Sequence, residues 1–250
     1  MKRTLWIGVL AMAAGVSGLM AQIKPKSAAE ADAVRALGTA QSEGPDAVIK
    51  AAEGLIDKFA DTEYKEIALL MEASAYQQKG DYAAAEVTDE RVLEANPKNA
   101  QASMQLGELI VQHVGENDLD KDEKLAKAEK AFNQGLANLD TKPNAAMSDE
   151  QWTQAKKVMR SELENDLGLV ALSRKNYDVA ITQFKLALEG EDEPAYQVRL
   201  ASAYQKAGKN DEALAICDKL LANPQLHPAI KQVAQGVKSA ATRAKAAGGK

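Results

Sequence analysis

Residues 68–97 read ALLMEASAYQQKGDYAAAEVTDERVLEANP. Leu69, Leu70, Ala73 and Tyr76 recur at three- and four-residue intervals, the period of a helix with one apolar face. Gly80 interrupts that pattern, and Asp81 and Tyr82 open a second one through Ala85, Val92 and Leu93 to Pro97. The segment therefore predicts two antiparallel helices joined by a tight turn. Two helices approach closely only where side chains are small, which explains Ala73 and Ala85. A single hairpin cannot bury its apolar face alone, so such units must stack.

Further units lie on either side. Leu106-Gly107 with Ala128, Phe132 and Leu136 form one. Leu167-Gly168 with Asn176-Tyr177, Ala180, Phe184, Ala187 and Leu188 form another. Leu200-Ala201, Tyr204, Gly208, Ala213 and Cys217 form the last. A more degenerate pair precedes them, with Ala52, Ile56 and Phe59 in its second helix. The small first-helix residues Ala73, Gly107, Gly168 and Ala201 are separated by 34, 61 and 33 positions. The small second-helix residues Ala85, Ala128, Ala180 and Ala213 are separated by 43, 52 and 33. One insertion therefore falls inside the second unit, and another falls between Ala128 and Ala180.

This pattern resembles the tetratricopeptide repeat, whose period is about 34 residues. The resemblance covers roughly residues 28–225. It departs from the family where a large aromatic is expected early in the first helix, since Leu69, Ser103, Glu164 and Gln197 stand there. The resemblance implies an all-α fold, an α-solenoid of antiparallel helix pairs wound as a right-handed superhelix.

Periodicity and turn residues predict helices over 28–42, 45–60, 63–79, 82–95, 99–113, 121–138, 148–174, 177–189, 194–207, 210–222 and 227–246. Pro45 suits a first helical turn. Ser148 with Gln151 makes a capping box. Gly80, Gly208 and Pro97 separate helices. The expected organisation is a signal peptide over 1–21, a linker over 22–27 and a repeat domain of about five helix pairs over 28–225. That domain carries an insertion near 114–124 and an extended helix over 148–174. A capping helix and frayed tail complete the chain over 226–250.

The first 21 residues carry Lys2 and Arg3, then an uncharged run from Leu5 to Met20, then Ala21. That is the pattern of a secretory signal cleaved after Ala21. Sixteen residues at 1.5 Å span about 24 Å, short of the roughly 30 Å hydrocarbon core, which disfavours a retained anchor. No cysteine follows the run, so a bacterial lipid anchor has no attachment point. The expectation is export to a bacterial periplasm or medium, without stable membrane insertion once the signal is cleaved.

Composition agrees with a helical protein. Of 250 residues, 27% are charged and only 4% aromatic, and about one in five is alanine. That disfavours a β-sandwich or barrel. A net charge of −5 gives no reason to expect nucleic acid. One cysteine excludes an internal disulfide and a Cys-based zinc site.

Few residues suggest chemistry. Cys217 stands where the repeat expects a phenylalanine and reads as a buried, inert thiol. His113 ends a helix, where a partial positive charge is favourable. His227 precedes Pro228 and suits a helix cap. Asp118, Asp120, Asp122, Leu125 and Glu129 match the spacing of a helix–loop–helix calcium loop. Glu123 replaces its turn glycine, and Leu125 to Glu129 already reads as helix. The competing reading is a solvated acidic loop at a helix start. Trp152, at the front of the long segment, suits either packing against the insertion or a partner-binding tip. No phosphate-loop, nucleophile-elbow or paired-His motif occurs, and no catalytic residue, cofactor or metal is expected.

The resemblance further implies a concave groove lined by first helices, which holds a peptide or helix of another protein. Aligning the units places Leu70, Met71, Ser74, Gln77, Met104, Gln105, Glu108, Val111, Leu169, Leu172, Val198, Arg199, Ser202 and Gln205 on that face. The Lys/Asn/Arg clamp of chaperone-binding members is absent, with Leu70, Ser74, Met104 and Asn165 at the corresponding positions. The resulting expectation is a non-enzymatic adaptor that binds protein through mostly apolar contacts. An envelope-assembly or secretion-complex subunit is the alternative, since the Phe59-Ala-Asp-Thr-Glu-Tyr64 junction resembles repeats in outer-membrane assembly lipoproteins. A calcium-dependent accessory protein or enzyme stands behind both.

Overall fold

The computed structural model describes residues 23–141 and 148–248. The proposed signal, 1–21, lies outside them. The described residues form eleven helices and no strand. They are α1 (Ala28–Glu43), α2 (Pro45–Lys58), α3 (Lys65–Lys79), α4 (Tyr82–Ala95), α5 (Ala100–His113), α6 (Lys121–Ala137), α7 (Asp149–Ser173), α8 (Tyr177–Gly190), α9 (Pro194–Lys206), α10 (Asn210–Leu221) and α11 (Pro228–Gly248). Each predicted helix is present, most with ends shifted by one or two residues, where the last turn has weakest support.

The chain divides into two compact units, residues 1–109 with 141–147, and 110–140 with 148–250. In the first, α1 packs on α2, α2 on α3 and α3 on α4. Its core joins Leu37, Leu55, Tyr64, Ala68 and Met71, with Phe59 and Tyr76 alongside. A smaller cluster joins Leu69, Val92 and Ala102, bringing the start of α5 onto α3 and α4. In the second unit, α7 packs on α8, and the chain of contacts continues through α9, α10 and α11. Ala171, Ala180, Phe184, Leu200 and Ala203 form one core. Ala201, Ala213, Cys217, Val237 and Ala241 form the next, where α11 closes the last pair.

The turns have the chemistry expected of them. Gly80 and Gly208 adopt φ of 75° and 77°, a left-handed conformation that costs glycine no Cβ clash. Ser148 and Gln151 make the reciprocal capping box, and Nδ1 of His227 accepts from the amide of Ala229 at 3.3 Å.

The segment expected as a linker is pinned instead. The Lys26 ammonium donates to Asp61, the Thr62 hydroxyl donates to the buried Glu30 carboxylate at 2.7 Å, and the Tyr64 hydroxyl donates to the Ile23 carbonyl. The 59–64 junction thus carries Thr62 and Tyr64 to hold the chain entering α1.

Candidate functional site

The first-helix face can be described in each unit. In the first, Leu70, Ser74, Gln77, Met104, Gln105 and Glu108 are half-buried. Met71 is not on that surface: it is 5% exposed and belongs to the core with Leu37 and Leu55. In the second, Leu169, Leu172, Arg199, Ser202 and Gln205 are half-buried, as is Val111 on α5. Val198 is buried with Leu220, Leu226 and Ala234 under α11. Both corrections have one cause. A helix packed on two sides buries a wider arc than a single stripe, and repeat alignment cannot tell which flank is covered.

The α7–α9 face is more polar than expected. The Arg199 guanidinium donates to Asn165 Oδ1 at 2.6 Å, and Asn165 Nδ2 donates to Asp166 Oδ1 at 2.9 Å. Burial pushes the Asp166 carboxyl up to about 7, opposed by Arg199. Burial also raises Glu162, with Glu191 adding to it. Tyr196 is raised for the same reason, with Glu162 and Asp166 contributing. Glu162 and Tyr196 were missed in the sequence. The signal that could have found Glu162 is its place four and seven residues before Asp166 and Leu169 on one helix face.

The acidic insertion does not gather its carboxylates. The Lys124 ammonium sits 3.2 Å from Asp118 Oδ2 and 3.1 Å from Asp120 Oδ1. The Gly115 amide donates to Asp118 at 2.9 Å. α6 begins at Lys121, so Asp122 and Glu129 already lie on a helix, and Glu129 pairs with Arg174. Among the described residues, no group of three or more acidic, His or Cys side chains is placed to hold a metal. Calcium binding through this loop is therefore not supported by its geometry.

Trp152 is buried, 8% exposed. Lys156, one turn further along α7, reaches Asp140 beyond α6, and α6 packs on α7. This fits packing rather than an exposed binding tip. Cys217 is fully buried, and burial raises its thiol above the usual range, the state of an inert cysteine.

Consecutive helices packed through small residues define a helical-repeat scaffold in each unit. The tetratricopeptide repeat family model matches residues 70–143 and 165–228, more than half the chain, and the chain belongs to that family. Its fold is similar to TTC0263, a thermophilic TPR protein from Thermus thermophilus. That likeness has TM-score 0.53 and 20% identity, covering 83% of this chain and 98% of that one. A looser likeness, TM-score 0.42 and 11% identity, joins it to the assembly chaperone of RpL4, Acl4, over 88% of this chain and 99% of that one. No curated protein matches the chain. Among the described residues, no helix is long and apolar enough to cross a membrane.

Proposed function

We propose that this protein is an exported, non-enzymatic scaffold that holds a segment of another protein against the first-helix faces of its repeats. Proteins of this family commonly serve as interaction scaffolds. The observation that carries the reading here is the half-exposure of Leu70, Met104, Leu169 and Leu172 among Ser and Gln side chains on first helices. Apolar groups left partly in water beside amide donors and acceptors suit an amphipathic segment, bound by burial plus a few hydrogen bonds. Methionine adapts its shape to what it meets. The export half of the reading rests on residues 1–21.

The test uses residues 22–250 as bait, with recovered partners titrated by calorimetry. Replacing Leu169 and Leu172 together with Glu should weaken binding by about 2–4 kcal/mol, or about 30- to 1000-fold, with the helical signal retained. Unchanged affinity in the folded double variant would remove the first-helix faces from the reading.

A further inference from the structure

Four residues after the small second-helix residue of each repeat stands a fully buried side chain. It is Phe132, Phe184 or Cys217 in three of the repeats, and Asp89 in the one formed by α3 and α4. Neither oxygen of Asp89 has a hydrogen-bond partner or accessible surface. On α5, Ser103 stands where the repeat expects a large aromatic. It is fully buried too, and its hydroxyl has no partner, so the two groups do not satisfy each other. A bare carboxyl in the interior weakens the packing around it, and most of all when it is charged.

Little else holds α4. Its buried residues are Ala85, Thr88, Asp89 and Val92, where the equivalent α8 buries Ala180, Ile181, Phe184 and Ala187. Val92 alone among the four adds a sizeable apolar side chain, in a small cluster with Leu69 of α3 and Ala102 of α5. The Thr88 hydroxyl donates back to the Ala84 carbonyl of its own helix. The charges nearby do not supply the missing partner. On α3, Glu66 accepts from Asn96 and Asn99, Glu72 accepts from Arg91, and Lys79 pairs with Asp46. Lys65 and Tyr76 complete the titratable groups of that helix, and Glu108 and His113 are those of α5. Among the described residues none of these acts on Asp89. Glu86 on α4 itself does, and its negative charge adds to the effect of burial, which together hold the carboxyl at about 7 instead of 3.8.

We infer that α4 is a pH-operated latch on the first unit: it stays packed while Asp89 keeps its proton, and it lifts locally from α3 and α5 as that proton is lost, uncovering Leu69 and Ala73. The sign follows from linkage. The packed form holds a proton that the lifted form, with its carboxyl in water, releases. Packing is therefore firmest below about pH 4 and weakens up to about pH 7, above which both forms are ionised. Coupling in a repeat stack is local, so α4 can open while the remaining pairs stay folded. The latch works in the free chain and does not rest on partner capture by the first-helix faces.

The experiment is amide hydrogen exchange of the protein from pH 5 to 7, corrected for the pH dependence of exchange in an open chain. At pH 7 the amides of residues 86–93 should exchange at least about tenfold faster than the buried amides of α3. Their opening constant should rise about fiftyfold between pH 5 and 7. Asp89→Asn and Asp89→Leu should each remove that rise. Glu72→Gln should keep most of it, which separates Asp89 from the neighbouring buried carboxyl. The amides of α8 around Phe184 should keep their profile in all three variants. Exchange in α4 no faster than in α3 at pH 7 would overturn the latch. So would a flat profile in the wild type, or a rise that persists in both Asp89 variants or vanishes in Glu72→Gln. A rise in α8 that disappears with Asp89 would also overturn it, because the carboxyl would then weaken the whole fold and not one helix.

Discussion

A Cβ added to Gly168 would lie 2.5 Å from Cε1 and 2.6 Å from Cδ1 of Phe184, and that ring is itself fully buried. The close approach of α7 and α8 rests on that missing atom. Gly168→Leu should therefore destabilise by several kcal/mol, about 3 or more, through overpacking. Coupling in a repeat stack is local, so hydrogen exchange should rise first around α7 and α8. Unchanged protection near Phe184 would contradict this register. Asp89 makes the opposite case, a charge where packing wants none. It is fully buried on α4 with both carboxylate oxygens unpartnered, and burial pushes it up from 3.8 to about 7. Between those values the folded chain holds a proton that the unfolded chain has released. The group's contribution is thus complete below about pH 4 and is lost as pH rises towards 7, by about 1.4 kcal/mol per unit. Urea denaturation of Asp89→Asn and wild type should give equal midpoints near pH 4. The variant's advantage should grow up to about pH 7 and then stay level.

At the scale of the element, three turns between paired helices share one geometry. The amides of Asp81, Asn176 and Lys209 donate to the carbonyls of Tyr76, Ala171 and Tyr204 at 3.0, 2.8 and 2.9 Å. Each turn needs a left-handed residue, supplied by Gly80, Lys175 and Gly208. Lys175 has φ of 60° with a Cβ attached, and that conformation costs an L residue roughly 1–2 kcal/mol. Glycine loses more chain entropy on folding, which offsets part of the relief. Lys175→Gly should still stabilise by about 0.5–1 kcal/mol, read as a raised denaturant midpoint; a lowered one would contradict the shared turn. Long-range ion pairs recur at nearly the repeat spacing: Lys79 with Asp46, Lys209 with Asp178, Lys245 with Asp211. All are largely exposed, so they favour register more than stability.

At the scale of the whole molecule, the export reading makes its own prediction. Expressed in a secreting bacterial host, the protein should appear outside the cytoplasm with Gln22 as its first residue by intact-mass spectrometry. Recovery of intact Met1 in the membrane pellet would contradict cleavage.

The helices, their pairing and their turns were legible in the sequence because each rests on local chemistry. Gly80, Pro45 and the Ser148–Gln151 box act within one turn of themselves. Ala73, Gly168 and Ala201 mark crossings within packed helix pairs. The near contact of Gly168 with Phe184 was legible because Gly168 falls at the small-residue position of the repeat. What a side chain meets from the next element is not local, and only the tertiary structure decided it. Packing on a second flank took Met71 and Val198 out of the first-helix face. The start of α6 turned Asp118 and Asp120 onto Lys124, and Arg174 took Glu129. Ser161 is covered because Gly190, 29 positions later, brings α8 down onto it. Burial of that hydroxyl depends on where the end of α8 meets the middle of α7, and no periodicity within either helix encodes that distance.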